Sequence, residues 1–526
     1  MTEQLLKEAK KFQKKRHWNH AAACYRQYLS ESERTVQAEV YADYARSLRI
    51  NSETNKALDV LNEGKRLYPD HERILLEFHN LYDFLGNWED TVGIARQLIK
   101  LNPQTADYHF RLGRSYSFLK KHQLAKKSYQ TALEFKHGCS FQNLVKKIQQ
   151  GFVKDAARIK TTYIFIDGKN NYGAFIHEYG DRKFFTKISN YTNAQIGAGR
   201  EESFYQKVRV RSPQLHSLTP AYIDSQIIDN VSYLTIELVK STAVTSDSAV
   251  WVIDAAQKIA SAVPYQELVT QYPPPKYVFQ FKKGRAISVV HFFSRIHEEP
   301  YNEKLFAALE LIMKQNRYPG AVRHLMKRLQ SAIMDNQLYQ KIKPEKHYSL
   351  LHGDFAFQNL LFDEESQCVK VIDWSSYTVG PHFIDLARYF TSLLTPYSEI
   401  ERLYTAKQKL STIEHIFFLY ALTLFYFQKM GPKSRASKIS DYILPAIEDL
   451  EFLVLQKKLN QEGDEMTDIS KQLAERDLQI QQLEQRNMIL NKEKEYLRME
   501  LSTLQSSKSW KITRPLRLFT ESRTKK

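Results

Sequence analysis

A row of helical pairs, an α+β domain of two lobes and a coiled coil, in that order, make up the multidomain fold that the sequence predicts. Three observations carry this reading. Small and apolar residues recur at a fixed step through the first 150 positions, β-rich runs begin near Thr161, and an apolar heptad seam opens past Gly463. At 526 residues the chain is too long for a single ordinary core. A prior of about 150 residues per domain suggests three units.

The composition is globular, with 43% hydrophobic residues. The 76 Lys and Arg outnumber the 59 Asp and Glu, for a formal net charge of +17. Such a balance favours an anionic partner: a phosphate ester, nucleic acid or a membrane surface. Cys24, Cys139 and Cys368 lie too far apart for a disulfide framework or a metal cluster of close spacing, and a reducing cytosol suits them.

The first element spans residues 1–150. Leu5, Leu6, Ala9 and Phe12 among Lys and Glu read as an amphipathic helix, without the apolar core of a secretory signal. Ala57, Thr91 and Ala125 stand 34 positions apart in turn, as do Pro69 and Pro103. Each member of the first set is followed at +4 and +7 by Leu61 and Gly64, Ala95 and Leu98, and Tyr129 and Ala132. Ala21, Tyr25 and Tyr28 fit an earlier copy, and Gly113 to Tyr116 supplies a small-then-aromatic contact. Small residues let paired helices approach closely, and stacked pairs bury what none could bury alone. The pattern resembles the tetratricopeptide repeat over about four copies, which implies a concave surface for protein partners. An irregular helical bundle is the alternative.

The second element is assigned to 151–460. Thr161 to Ile166, Gly173 to Tyr179, Lys183 to Ile188, Tyr222 to Ile228 and Tyr233 to Val239 are strand-like runs and imply a small antiparallel lobe. Beyond Ser248 helical patterns dominate, apart from a hairpin-like patch around Leu360 to Trp374, and Pro273 to Pro275 mark a loop. The longest apolar run, Ile416 to Phe427, is too short to cross a bilayer and reads as a buried helix.

Within this element HGDFAFQN is followed by VIDW and GPHFIDLAR. An aspartate that accepts a substrate hydroxyl proton, an asparagine five residues on and a second aspartate after a hairpin are the parts that phosphoryl transfer needs. Asp354, Asn359 and Asp373 have that spacing. The segment resembles the aminoglycoside phosphotransferase and choline kinase group, of the protein-kinase-like fold, over about 300 residues. The resemblance implies a kinase that uses ATP and Mg²⁺ on an alcohol group. By that resemblance Asp354 is the base, Asn359 and Asp373 hold magnesium, His352 braces the catalytic loop and Asp385 anchors it from the following helix. Lys187 in FFTKI would take the α- and β-phosphates and be held by a helix glutamate. Glu201 is favoured for that glutamate, with Glu202 as the alternative. Glu237, Leu238 and Val239 resemble the hinge whose backbone meets the nucleotide base. Two features depart from the family pattern: the loop DGKNNYG, ending at Gly173, lacks GxGxxG, and no acidic residue separates Gly380 from Pro381. Neither removes a metal ligand or the base.

The third element, 464–506, places Ile469, Leu473, Ile480, Leu483, Leu490, Leu497, Leu501 and Leu504 on steps of three and four, with Arg476, Asn487 and Lys494 in the same seam. A coiled-coil homodimer is expected, against a solitary solvated helix. In the tail, 507–526, seven Lys or Arg face one Glu and are interleaved with Trp510, Ile512, Leu516, Leu518 and Phe519. Such a mixture suits an anionic membrane surface, against a disordered basic tail. Its SKSWKITRPLRLF string is similar to tails of bacterial surface-polysaccharide enzymes, including coiled-coil kinases that cap O-antigen chains. No zinc spacing, RNA-binding aromatic signature or basic run before heptads is found, so no nucleic acid is expected.

Two functional expectations result. One is a cytoplasmic kinase, peripheral at the inner face of the cell membrane, acting on a sugar, glycan or small amino alcohol in capsule or lipopolysaccharide biosynthesis. The other is a non-catalytic scaffold whose kinase fold is vestigial or regulatory.

Overall fold

A computed structural model of the chain describes residues 2–462 apart from 16, 33–35, 52, 154–157, 167–170, 191–197, 268–275, 281–285, 291, 316, 364–365, 409 and 430–438. The expected coiled coil over 464–506, the basic tail, the Pro273 to Pro275 loop and residues 167–170 of the DGKNNYG loop lie outside the described residues. The chain forms two compact units, Met1–Glu202 with Ala221–Leu238, and Ser203–Pro220 with the chain from Val239 onward.

The first unit begins with four helical pairs among the described residues. These are α1 (Thr2–Lys14) with α2 (Trp18–Glu31), α3 (Ala38–Ile50) with α4 (Thr54–Leu67), α5 (Glu72–Leu85) with α6 (Trp88–Leu101), and α7 (Ala106–Phe118) with α8 (His122–His137). A ninth helix, α9 (Phe141–Gln150), follows. The periodic residues are the ones that close the pairs: Ala57, Thr91 and Ala125 are fully buried, as are Leu61, Ala95, Leu98 and Ala132. At Gly113 on α7 an added Cβ would stand 2.7 Å from the buried Tyr129 ring of α8. The backbones are therefore as close as an aromatic ring permits. Polar ties run from pair to pair, with Arg111 donating to Asn80 at 3.0 Å and Arg114 paired with Asp83 at 2.9 Å.

Five antiparallel strands follow in the order β1 (Lys160–Ile164), β2 (Asn171–Tyr179), β3 (Arg182–Asn190), β5 (Val231–Glu237), β4 (Tyr222–Ile228). The strand-like runs of the sequence all lie here, with ends shifted by a few residues. Array and sheet share one core. Phe110, Tyr129, Leu144 and Ile148 of the helices cluster with Tyr163, Tyr172, Phe175, Ile188 and Tyr233 of the strands. Ring centroids of Phe110 and Tyr172 lie 4.6 Å apart, and the Tyr233 hydroxyl is 2.7 Å from Nε2 of His137. Such aromatic pairs contribute about 0.5–1.5 kcal/mol each beyond area burial.

The second unit is mainly helical, with α11 (Pro213–Leu218), α12 (Ala249–Ser261), α13 (Glu299–Gln315), α14 (Gly320–Met334), α15 (Phe383–Leu393), α16 (Thr412–Lys429) and α17 (Leu444–Glu462). The helix α16 carries the long apolar run and is buried on every side from Ile416 to Phe427. Its internal hydroxyls are satisfied, as where Tyr420 donates to Asn302 Oδ1 at 2.9 Å. Among the described residues no helix is long and apolar enough to cross a membrane.

The expected hairpin near Leu360 is present as β10 (Leu360–Asp363) and β11 (Cys368–Val371), joined on its other edge by the two-residue β6 (Thr242–Ala243). Two further antiparallel pairs that the sequence reading did not mark stand among the dominant helices: β7 (Lys276–Gln280) with β8 (Ala286–Val290), and β9 (Tyr348–Leu351) with β12 (Thr378–Pro381). All four residues of β9 and all four of β12 are buried, which removes the alternation that would reveal a half-exposed strand.

Candidate active site

The site in the second unit is a turn held from three sides. Leaving β9, the chain passes through His352, Gly353 and Asp354 in an arc that Gly353 makes possible. Its φ is +81°, and a Cβ there would lie 2.1 Å from the Ser376 carbonyl oxygen. No residue with a side chain fits both conditions.

Asp385, in the first turn of α15, holds the arc from one side. One carboxylate oxygen accepts the His352 N–H at 2.7 Å and the other the Gly353 N–H at 3.0 Å. Burial pushes this carboxyl up to about 7, while the two N–H donors pull it the other way. His352 is fully buried and braces the second side. Its Nε2 lies 2.9 Å from the Ile372 carbonyl, and the Asp354 N–H points to its Nδ1 at 3.3 Å. Burial lowers its pKa, which leaves a neutral ring that donates from Nε2 and accepts at Nδ1. Trp374 closes the packing, edge-on to His352 with ring centroids 4.7 Å apart and stacked on Phe204 at 3.8 Å.

The β10–β11 hairpin forms the third side. Leu360 pairs with Val371, and the Ile372 N–H donates to the Asn359 carbonyl at 3.0 Å. Asn359 and Asp373 thus flank the open end of one hairpin. Asn359 is buried and donates through Nδ2 to the Asp354 carbonyl at 2.9 Å, which directs Oδ1 as its remaining acceptor. Asp373 sits in the left-handed region at φ +60°, and Ser375 donates to its Oδ1 at 2.9 Å. Left-handed backbone at a residue other than glycine costs about 1–2 kcal/mol and marks a position that the surroundings over-determine.

This donor set fits magnesium. One amide oxygen and one carboxylate suit a hard cation that keeps most of its waters. Among the described residues no three His, Cys, Asp or Glu side chains converge as a cage for a metal bound by protein alone.

Asp354 is partly open to solvent and takes a further partner that sequence reasoning missed. Arg388 on α15 donates to its Oδ1 from Nε at 3.2 Å and from Nη2 at 3.1 Å. The available signal was position, since Arg388 stands three residues after Asp385 and so shares a helix face with it.

The first unit carries its own polar centre. Lys187 lies on β3 between Ala174 of β2 and Leu234 of β5. Its Nζ stands 2.9 Å from Oε2 of Glu201, on the short helix α10 (Ala198–Ser203), and both side chains are largely buried. Glu202 is instead the acceptor for Ser225 Oγ at 2.6 Å, so geometry separates the neighbouring glutamates. At the end of β5 the Glu237 N–H donates to the Ala221 carbonyl at 2.8 Å, the Ala221 N–H points to the Glu237 carboxylate at 3.3 Å, and the Leu238 N–H donates to Lys183 at 3.0 Å. Glu237 is exposed, whereas Val239, where the second unit begins, is half-buried.

Residues 252–412 match the model of the phosphotransferase enzyme family. In structure the chain is similar to a spectinomycin phosphotransferase in complex with ADP and spectinomycin, with 15% identity, 60% of this chain and 98% of that one covered, and a TM-score of 0.36. Its helical part is similar to the protein MamA, at 20% identity, 26% of this chain, 79% of that one and a TM-score of 0.25. It is also similar to a tetratricopeptide repeat protein from Parabacteroides merdae, at 18% identity, 27% of this chain, 56% of that one and a TM-score of 0.25. No curated protein matches the chain in sequence. The match to the phosphotransferase family lies over 252–412, behind the four helical pairs and the five-stranded sheet.

Proposed function

We propose that this domain transfers the γ-phosphoryl group of ATP to the hydroxyl of a sugar, glycan or small amino alcohol in capsule or lipopolysaccharide assembly. The observation that carries the chemical part is the turn itself. Asp354 is the partly exposed carboxylate of an otherwise buried arc, next to an amide and a carboxylate suited to magnesium.

Asp354 orients the acceptor hydroxyl. The hydroxyl oxygen attacks the γ-phosphorus, the bond from the γ-phosphorus to the bridging β-phosphate oxygen breaks, ADP leaves, and the hydroxyl proton passes to Asp354. Asn359 and Asp373 would hold Mg²⁺, which when bound neutralises charge on the β- and γ-phosphates. Lys187, held by Glu201, would bind the α- and β-phosphates, and backbone groups from Glu237 to Val239 would meet the base. His352 and Asp385 keep the turn in shape and take no part in proton transfer.

Incubation with γ-labelled MgATP and a panel of sugars, lipid-linked glycans and amino alcohols tests the reading. Asp354→Asn should lower transfer by about 10³-fold while nucleotide still binds. Transfer equal to wild type would refute the base.

The scaffold reading draws on the core shared by the repeats and the five-stranded sheet, which suits a lobe that reports on partners. Repeat partners retained by a chain carrying Asp354→Asn, with no loss of glycan assembly in cells, would favour it. We further assign homodimerisation to 464–506, tested by sedimentation, and contact with anionic lipid at the inner membrane face to 507–526, tested by liposome flotation with and without that tail.

A further inference from the structure

Two facts about α15 stand apart from the roles assigned so far. Asp385 and Arg388, one turn apart on this helix, grip consecutive parts of the same arc, the first through the backbone of His352 and Gly353 and the second through the side chain of Asp354. Arg388 is itself held from behind, with its guanidinium carbon 5.8 Å from the centre of the Phe425 ring on the buried α16. A guanidinium that sends two N–H groups to one carboxylate oxygen sets both the rotation and the charge of that carboxylate.

We infer that Arg388 is a positioning residue that points Oδ2 of Asp354 at the acceptor and cancels its charge, so that the site selects uncharged hydroxyl compounds over those bearing an amine near the hydroxyl. The inference rests on the kinase reading and deepens it by naming the acceptor class. Among the described residues both of these N–H groups fall on Oδ1, and Oδ2 has the longer 3.4 Å contact from Asn359 Nδ2. Oδ2 is therefore the oxygen that takes the hydroxyl proton. An aspartate without a cation beside it would draw an ammonium group towards the acceptor position, because unlike charges a few ångströms apart attract even at a protein surface. With Arg388 in place the pair presents no net charge, and the pull of Asp354 on an ammonium group over a neutral sugar hydroxyl is removed. Within the small amino alcohols and sugars proposed above, this choice favours the sugars and their N-acylated forms.

The test uses the full chain, Arg388→Gln and Arg388→Lys, with MgATP and matched acceptors that differ only in acetylation of an amine, such as glucosamine and N-acetylglucosamine. Transfer to water is measured alongside. Wild type should prefer the acetylated member of each pair. Arg388→Gln should lower kcat by roughly 10–100-fold with KM for MgATP unchanged, and should shift the preference towards the free amine by roughly fivefold or more. Arg388→Lys, which keeps the charge without the fork, should restore the preference and only part of kcat. A change in acceptor preference separates this role from a purely structural one, which would lower all acceptors alike. Arg388→Gln with kcat within twofold of wild type, or with an unchanged preference, would overturn the inference and leave the kinase reading in place. If wild type turned over no faster than Asp354→Asn on every acceptor and on water, both would fail together.

Discussion

The repeat array and the turn at Gly353 solve the same problem, holding backbone in a defined place, by opposite means. In the array small side chains at regular spacing let helices touch, and Ala57, Thr91 and Ala125 do one job three times. In the turn no position repeats another: Gly353 supplies a φ of +81°, Asp385 two acceptor oxygens, His352 a neutral ring and Asp373 a left-handed link. Packing shared among equivalent sites degrades gradually, whereas a set of single-purpose polar contacts fails when one atom is lost.

Substitutions of graded effect put that contrast to the test. Gly353→Ala should be the most damaging, because its Cβ would sit 2.1 Å from a backbone oxygen at a positive φ. A loss of about 3–4 kcal/mol in urea unfolding of the second unit, together with loss of transfer, is expected. The next effect is one of pH and belongs to the first unit. His177 is fully buried among Thr161, Thr186 and the rings of Phe152 and Phe175, and burial pushes it down to about 4. A base with a depressed folded pKa adds stability that is present above about 6.5 and is lost as pH falls towards 4. The loss by pH 4 should be about 3 kcal/mol. Thermal melts from pH 7 to 4 should show it, and His177→Gln should flatten the slope.

Gly113→Ala, which overpacks one helix pair against Tyr129, should cost about 1–3 kcal/mol and leave the second unit's melting unchanged. Arg114→Ala, which removes a half-exposed pair with Asp83, should cost less than about 1 kcal/mol. If Gly113→Ala proved more damaging than Gly353→Ala, the contrast between shared and single-purpose contacts would be wrong.

Much of this was legible in advance because it was written in spacing. The 34-residue step located the helix pairs, β-rich runs located the five strands, and HGDFAFQN followed by VIDW located the turn. Three things were not legible. The pair β9 and β12 is buried throughout and has no alternation. Glu201 and Glu202 are neighbours of one type, and only the packing of α10 turns the first to Lys187 and the second to Ser225. Arg388 looked like one of many basic residues on a chain of net charge +17.

The sequence alone determined which residues could form helices, strands and a polar turn, because those properties depend on neighbours within a few positions and on side-chain chemistry. Tertiary structure decided which charge meets which, and that the last repeats and the first sheet share one core. Contacts such as Arg388 with Asp354 join positions 34 residues apart. Their distance in space is set by the packing of α15 on α16, which no local pattern encodes.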